Sequence, residues 1–335
     1  MQLALTGDVM LGRLVDEYVI QNRSLRPETL WGDILPVMLN ADCRLINLEC
    51  VISSQGEAWH PTTKAFHFRA HPRALDVLGA AKIDGVTLAN NHVLDYGSDA
   101  LLDCMKLLDR AGIKRTGAGM TLEEALAPAV FGLPEGRIAV VSLTDNEPEW
   151  EATNTKPGVN SVAYNDRGLV EPYRSRMAQV LSAARRQAEL VIVSAHVGPN
   201  WGAPSHAMQT LARELLDMGA DLYWGHSNHT PQGIELYRGK AIVYSAGDFI
   251  DDYLVDKEER NDLSFLFTVE GENGRIERIG LHPVCIEGLR VRRASEREWE
   301  TLARSMQAKC KPFKTTMVFE GQVGMISLKQ ASRTR

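Results

Sequence analysis

The stretch Leu190-Val191-Ile192-Val193-Ser194-Ala195-His196 decides the fold: a short, almost wholly apolar run that stops on a histidine. The residues before it, Arg174 to Glu189, carry the opposite pattern. Met177, Val180, Leu181 and Ala184 fall at i, i+3, i+4 and i+7, which puts one apolar helix face against a sheet. Helical stretches recur at Asp99 to Ala111, closed by Gly112, and at His206 to Met218, which stops at Gly219. Short apolar runs alternating with such helices are the signature of an α/β protein.

The other apolar runs end in the same way. Leu3–Leu5 runs into Gly7-Asp8, Leu45–Leu48 into Glu49, and Val86–Ala89 into Asn90-Asn91-His92. Ala220–Trp224 runs into Gly225-His226, with His229 three residues on, and Ile242–Ala246 into Gly247-Asp248. Each ending has a plainer reading by itself. A strand-end Asp or Asn is often a turn former or cap, and His196 alone reads as a core histidine. Taken together, the endings predict one site outside the carboxyl ends of the strands, where open α/β sheets collect ligands.

Composition narrows the chemistry. The 335 residues carry 37 Lys+Arg against 43 Asp+Glu, a net charge of −6, which argues against a nucleic-acid binder. Hydrophobic residues at 44% and charged residues at 24% are those of an ordinary globular protein. No run reaches the ~18–20 apolar residues of a membrane span. The opening MQLALTGDVMLGR has neither a basic n-region nor a long apolar core, so no signal peptide is expected. The five cysteines are scattered and include no CxxC pair, which suggests a reduced, cytosolic compartment. Gly117-Ala118-Gly119 lacks the Lys-Ser/Thr of a phosphate loop and reads as a turn before a helix near Thr121.

An oxygen and nitrogen donor set without thiolates suits Mn²⁺, Fe²⁺ or Zn²⁺ in metal-assisted hydrolysis. His92 directly follows Asn91, and two adjacent residues do not easily serve one ion from a rigid strand end. Its natural role is that of proton donor to a leaving group.

At these residues the sequence resembles the calcineurin-like metallophosphoesterases. More specifically it resembles the CapA family of poly-γ-glutamate capsule biosynthesis proteins, a divergent branch of that fold. The resemblance rests on Gly7-Asp8-Val9-Met10-Leu11-Gly12-Arg13, Asn47-Leu48-Glu49, Leu88-Ala89-Asn90-Asn91-His92 with Asp95-Tyr96-Gly97, and Gly117-Ala118-Gly119. It continues through His196-Val197-Gly198-Pro199-Asn200-Trp201, Gly225-His226-Ser227-Asn228-His229 and Tyr244-Ser245-Ala246-Gly247-Asp248-Phe249. It implies a four-layer α/β/β/α sandwich of two mixed sheets flanked by helices. It further implies metal ligands at Asp8, Glu49, Asn91, His196, His226 and His229, with Glu49 bridging and His92 catalytic. Met10 stands where the broader pattern has a histidine, Glu49 replaces the usual Asp, and the last histidine pair is one residue further apart. One tightly bound ion, or two of unequal affinity, is therefore expected.

The resemblance implies a metal-dependent hydrolase acting on a phosphoester or on a γ-glutamyl or peptide-like anionic substrate, with metal-bound hydroxide attacking and His92 as general acid. The alternative is a non-catalytic, polymer-binding subunit working with capsule or polyglutamate synthesis partners. Three further residues are candidate substrate contacts. Arg69 is an anion clamp or a surface ion pair, Trp201 a substrate-facing wall or a plug at the core edge, and Asp248 a cation site or part of a solvated acidic loop. Residues 1–286 read as the main domain. Within it, Leu263–Glu270 and Arg275–Ile286 form a hairpin around Glu272-Asn273-Gly274. Residues 287–335 read as a helical extension and tail without an assigned function.

Overall fold

The computed structural model describes residues 1–328; the last seven residues of the expected tail lie outside the described residues. The chain opens with four parallel strands, β1 (Gln2–Val9), β2 (Cys43–Leu48), β3 (Gly85–Thr87) and β4 (Lys114–Thr116). It then builds a second sheet from β5 (Ala129–Leu133), β6 (Gly136–Thr144), β7 (Leu190–His196), β8 (Leu222–His226), β9 (Ile234–Tyr237) and β10 (Lys240–Val243), in the order β9-β10-β8-β7-β6-β5. It returns to the first sheet through β11 (Asp248–Ile250), β12 (Leu263–Glu272), β13 (Arg275–Glu287), β14 (Arg290–Arg293), β15 (Val318–Glu320) and β16 (Val323–Ser327). The first sheet then runs β15-β16-β13-β12-β1-β2-β3-β4, with β11 beside β1 and β14 beside β13.

The two-residue period of each strand sorts its side chains between layers. In β7, Leu190 and Ile192 enter the core between the sheets, while Val191, Val193 and Ala195 face the outer helices. In β2, Cys43 and Leu45 point inward, and Ile46 and Leu48 outward. On the outside of the first sheet lie α1 (Ala74–Ala80) and α2 (Gly97–Arg110), the latter through Leu101, Cys104, Met105 and Leu108. The second sheet is covered by α3 (Tyr173–Arg185) and α4 (His206–Asp217). Two mixed sheets packed face to face between helical layers form the expected α/β/β/α sandwich.

Past residue 286 the extension packs onto the first sheet and into the core. Strands β14 and β16 both pair with β13. Helix α5 (Glu296–Cys310) inserts Trp299, Leu302, Met306 and Cys310 into the core between the sheets. The expected hairpin turn is present, with Asn273 and Gly274 both at positive φ (52° and 71°), the conformation that makes Asn-Gly a hairpin signal. Among the described residues, no helix is long and apolar enough to cross a membrane.

Candidate metal centre and its cleft

The inward rows of the two sheets continue past the apolar core into polar residues. His196 follows Leu190 and Ile192 on one face of β7. His226 follows Leu222 and Trp224 on β8. Asn47 and then Glu49 follow Cys43 and Leu45 on β2. In the parallel register His196 lies directly beside His226. Asp8 reaches the same place from β1, where a register shift between Leu5 and Asp8 re-aims the strand end. Gly7 is required there, because a Cβ on it would stand 2.1 Å from the carbonyl oxygen of Gly247. That close approach lets the Asp8 amide donate to the same carbonyl at 2.8 Å.

The result is a buried cluster. Donor atoms of Asp8, Glu49 and His196 all lie within 4.8 Å of one another. His226 Nδ1 is 2.7 Å from Asp8 Oδ1. The Asn47 amide nitrogen sits between Asp8 Oδ1 (2.8 Å) and His196 Nδ1 (3.2 Å), while its oxygen accepts from Thr87 Oγ1 and Asn90 Nδ2. Burial pushes the Asp8 carboxyl up, but the His226 and His196 imidazoles and Asn47 outweigh it and hold Asp8 at about 2. Burial pushes Glu49 well up, reinforced by the Asp8 charge, and pushes His196 down to about 3. Without a cation this pocket does not hold both carboxylates charged at low cost.

The donors present suit a divalent ion. Among the described residues Nε2 of His226 has no hydrogen-bond partner, and the buried Asn91 Oδ1 and Asp248 Oδ2 also lack partners. Buried polar atoms are rarely left unpaired. The donor atoms of Asp8, Glu49 and His196, which lie within 4.8 Å of one another, form an oxygen and nitrogen set of the kind such ions use.

His92 lies at the edge of this cluster. Its Nδ1 is 2.6 Å from Asp95 Oδ2, its ring stacks on Phe68 at 3.8 Å, and its Nε2 faces Glu49 Oε1 at 3.9 Å. Asp95 also accepts the Phe68 amide and pairs with Lys64, whose ammonium bonds the Asn91 carbonyl as well. Burial and the Lys64 charge push His92 well below its usual value. His229 is turned the other way. Its Nδ1 lies 3.0 Å from Asp248 Oδ1 and its ring meets Tyr253 edge-on at 5.0 Å.

A cleft of about 340 Å³ opens over the cluster and exposes Glu49, Asn91, His92, His196 and His229 at its floor. Trp201 lines it, 5.5 Å from the His229 ring, as a wall. Asp248 is buried behind His229, and no part of it lines the cleft. Arg69 is not at the cleft either; its guanidinium lies 4.0 Å over the Tyr96 ring and donates to the Gly56 carbonyl. The cleft cation is Arg13, within the Gly7–Arg13 motif but singled out by no ligand spacing. Lys64 and Tyr253 were also invisible in one dimension, because each joins the site through contacts distant in sequence, whereas Asn47 stood in the Asn47-Leu48-Glu49 motif without a role assigned to it. Asp95 had a signal, standing three residues after His92 in the same motif.

Residues 2–253 match the family model described as Bacterial capsule synthesis protein PGA_cap. The chain is similar to the "Probable polyglutamine synthesis accessory protein" of Mycobacterium tuberculosis (strain CDC 1551 / Oshkosh), at 33% identity over 344 residues covering 90% of this chain and 89% of that one. It is 27% identical to the "PGA biosynthesis protein CapA" of Bacillus subtilis (strain 168), over 73% of this chain and 62% of that one. Among solved structures, a hypothetical protein from Thermus thermophilus shares the fold with a TM-score of 0.51 at 16% identity, covering 86% of this chain and 100% of that one.

Proposed function

The chain belongs to the PGA_cap family of bacterial capsule synthesis proteins, and from that premise we propose that it is a metal-dependent hydrolase of a phosphoester or of a γ-glutamyl, peptide-like anionic substrate. The observation that carries this reading is the buried convergence of Asp8, Glu49 and His196 donors within 4.8 Å, beside the unpartnered Nε2 of His226. Asp8, Glu49, Asn91, His196 and His226 would hold one or two ions of manganese, iron or zinc, with His229 as a further ligand. Bound there, such an ion acidifies a water and neutralises charge developing on a phosphoryl or carbonyl oxygen.

The chain's own residues supply the rest. Asp95 accepts from His92 Nδ1, which leaves Nε2 as the nitrogen presented to the cleft. Burial keeps the resting imidazole neutral, and an anionic substrate in the cleft favours its protonation. His92 then holds the proton at Nε2 for a leaving group. Phe68, packed against the ring, keeps it fixed and shields it from water.

A second reading, an accessory subunit that binds polymer in a capsule synthesis complex without turnover, has one observation in its favour. Met10 gives the centre no nitrogen ligand; its sulfur instead accepts the Gly12 amide at 3.0 Å. Elemental analysis and turnover assays on phosphoesters and γ-linked peptides separate the two. The hydrolase is expected to carry a transition metal that His226→Ala loses. His92→Asn should keep the metal and lower turnover by ~10²–10⁴-fold. Wild-type protein that retains no transition metal after reconstitution and turns over neither substrate class sinks the hydrolase.

A further inference from the structure

Arg13 is held in an unusual way. It has φ = 52°, in the left-handed region that non-glycine residues seldom occupy. The conformation places its guanidinium 5.3 Å from the Phe66 ring and 5.6 Å from the Phe68 ring. Asp252 steadies it from behind, 3.3 Å from Nε, while also accepting the Leu14 amide at 2.9 Å. Among the described residues, neither Nη group has a hydrogen-bond acceptor. The side chain lines the same cleft as Glu49 and His92, and among the described residues no other arginine or lysine lines it.

Phe68 links this cation to the reacting centre. Its ring lies 3.8 Å from the His92 ring and 5.6 Å from the Arg13 guanidinium. The guanidinium is therefore within about three extended residues, at ~3.5 Å each, of the imidazole. An unsatisfied planar donor pair at that reach is built to accept a two-oxygen anion. Asp252 already pairs with the guanidinium at Nε, so a singly charged carboxylate fits better than a phosphate dianion. The flanking wall of Phe66, Trp201 and Leu254 suits the methylene stretches of such a chain.

We propose that Arg13 forms a carboxylate-binding subsite that holds an extended, carboxylate-bearing substrate one ring beyond the group His92 serves. The subsite rests on the hydrolase reading for its place in a reaction but not for its ligand chemistry. Calorimetric titration of the full-length protein, metal-loaded and metal-free, with γ-linked tri-glutamate and its fully amidated analogue tests it. Wild-type protein is expected to bind the acid at least tenfold more tightly than the amide. Arg13→Gln should erase that difference at unchanged metal content and melting temperature, and Arg13→Lys should restore part of it. Equal binding of acid and amide by the wild type overturns the subsite. So does an Arg13→Gln variant that still discriminates, or one that loses affinity for inorganic phosphate but not for the trimer. The hydrolase reading fails separately, on metal content and turnover, because discrimination is readable without either.

Discussion

Asn47 holds the centre together at the scale of single residues. Its amide contacts Asp8 and His196, and its carbonyl oxygen is satisfied by Thr87 and Asn90. Thr87 in turn accepts the Ser194 hydroxyl at 3.1 Å, so the network bridges the two sheets. Replacing Asn47 with Leu keeps the branched shape but strips a hydrogen bond from the buried Asp8 carboxylate and removes the acceptor of Thr87, while Asn90 keeps only the Leu48 carbonyl. Each unsatisfied group costs about 1–3 kcal/mol. Chemical denaturation of metal-free Asn47→Leu should show a loss in that range, and the loaded protein should release metal more readily. A variant as stable as wild type would mean the amide is not a determinant of the centre.

Among the elements, the turn joining β14 to α5 shows how local chemistry fastens the late part of the chain. The Glu298 carboxylate accepts the Ser295 amide at 2.7 Å and takes two bonds from Arg292, at 2.8 and 2.9 Å. The Arg292 guanidinium draws Glu298 down from its ordinary 4.5 to about 2. A carboxylate depressed on folding adds stability above its unfolded value and loses it as pH falls toward the folded one. The advantage of wild type over Arg292→Met should therefore be full above pH 4.5 and shrink between there and about pH 2. Thermal melts across that window check it. Part of the group is in water, so the effect should weaken with added salt. A difference that stays constant with pH would assign the loss to packing of the arginine stem.

For the whole molecule, α5 is part of the central core, since Met306 and Trp299 are buried between the sheets. Met306→Ala should cost about 2–5 kcal/mol and lower one cooperative transition, and a chain ending at residue 286 should not fold. A truncated chain that melts like the full one would restore the boundary expected from the sequence. That boundary illustrates the limit of one-dimensional reading. A helical stretch after residue 286 was evident in the sequence, but whether its apolar face meets a core or solvent depends on which sheet edge lies open. The α/β class and the strand-end residues Asp8, Glu49, His92, His196 and His226 were legible because periodicity and the residue closing each run are local properties. Tertiary structure alone decided that inward rows from two different sheets meet, that Asn47 bridges them, and that Arg13, not Arg69, faces the cleft. The reason is physical: the pleat sets the direction of a side chain within its own strand, whereas its partners are set by register and by how the sheets stack.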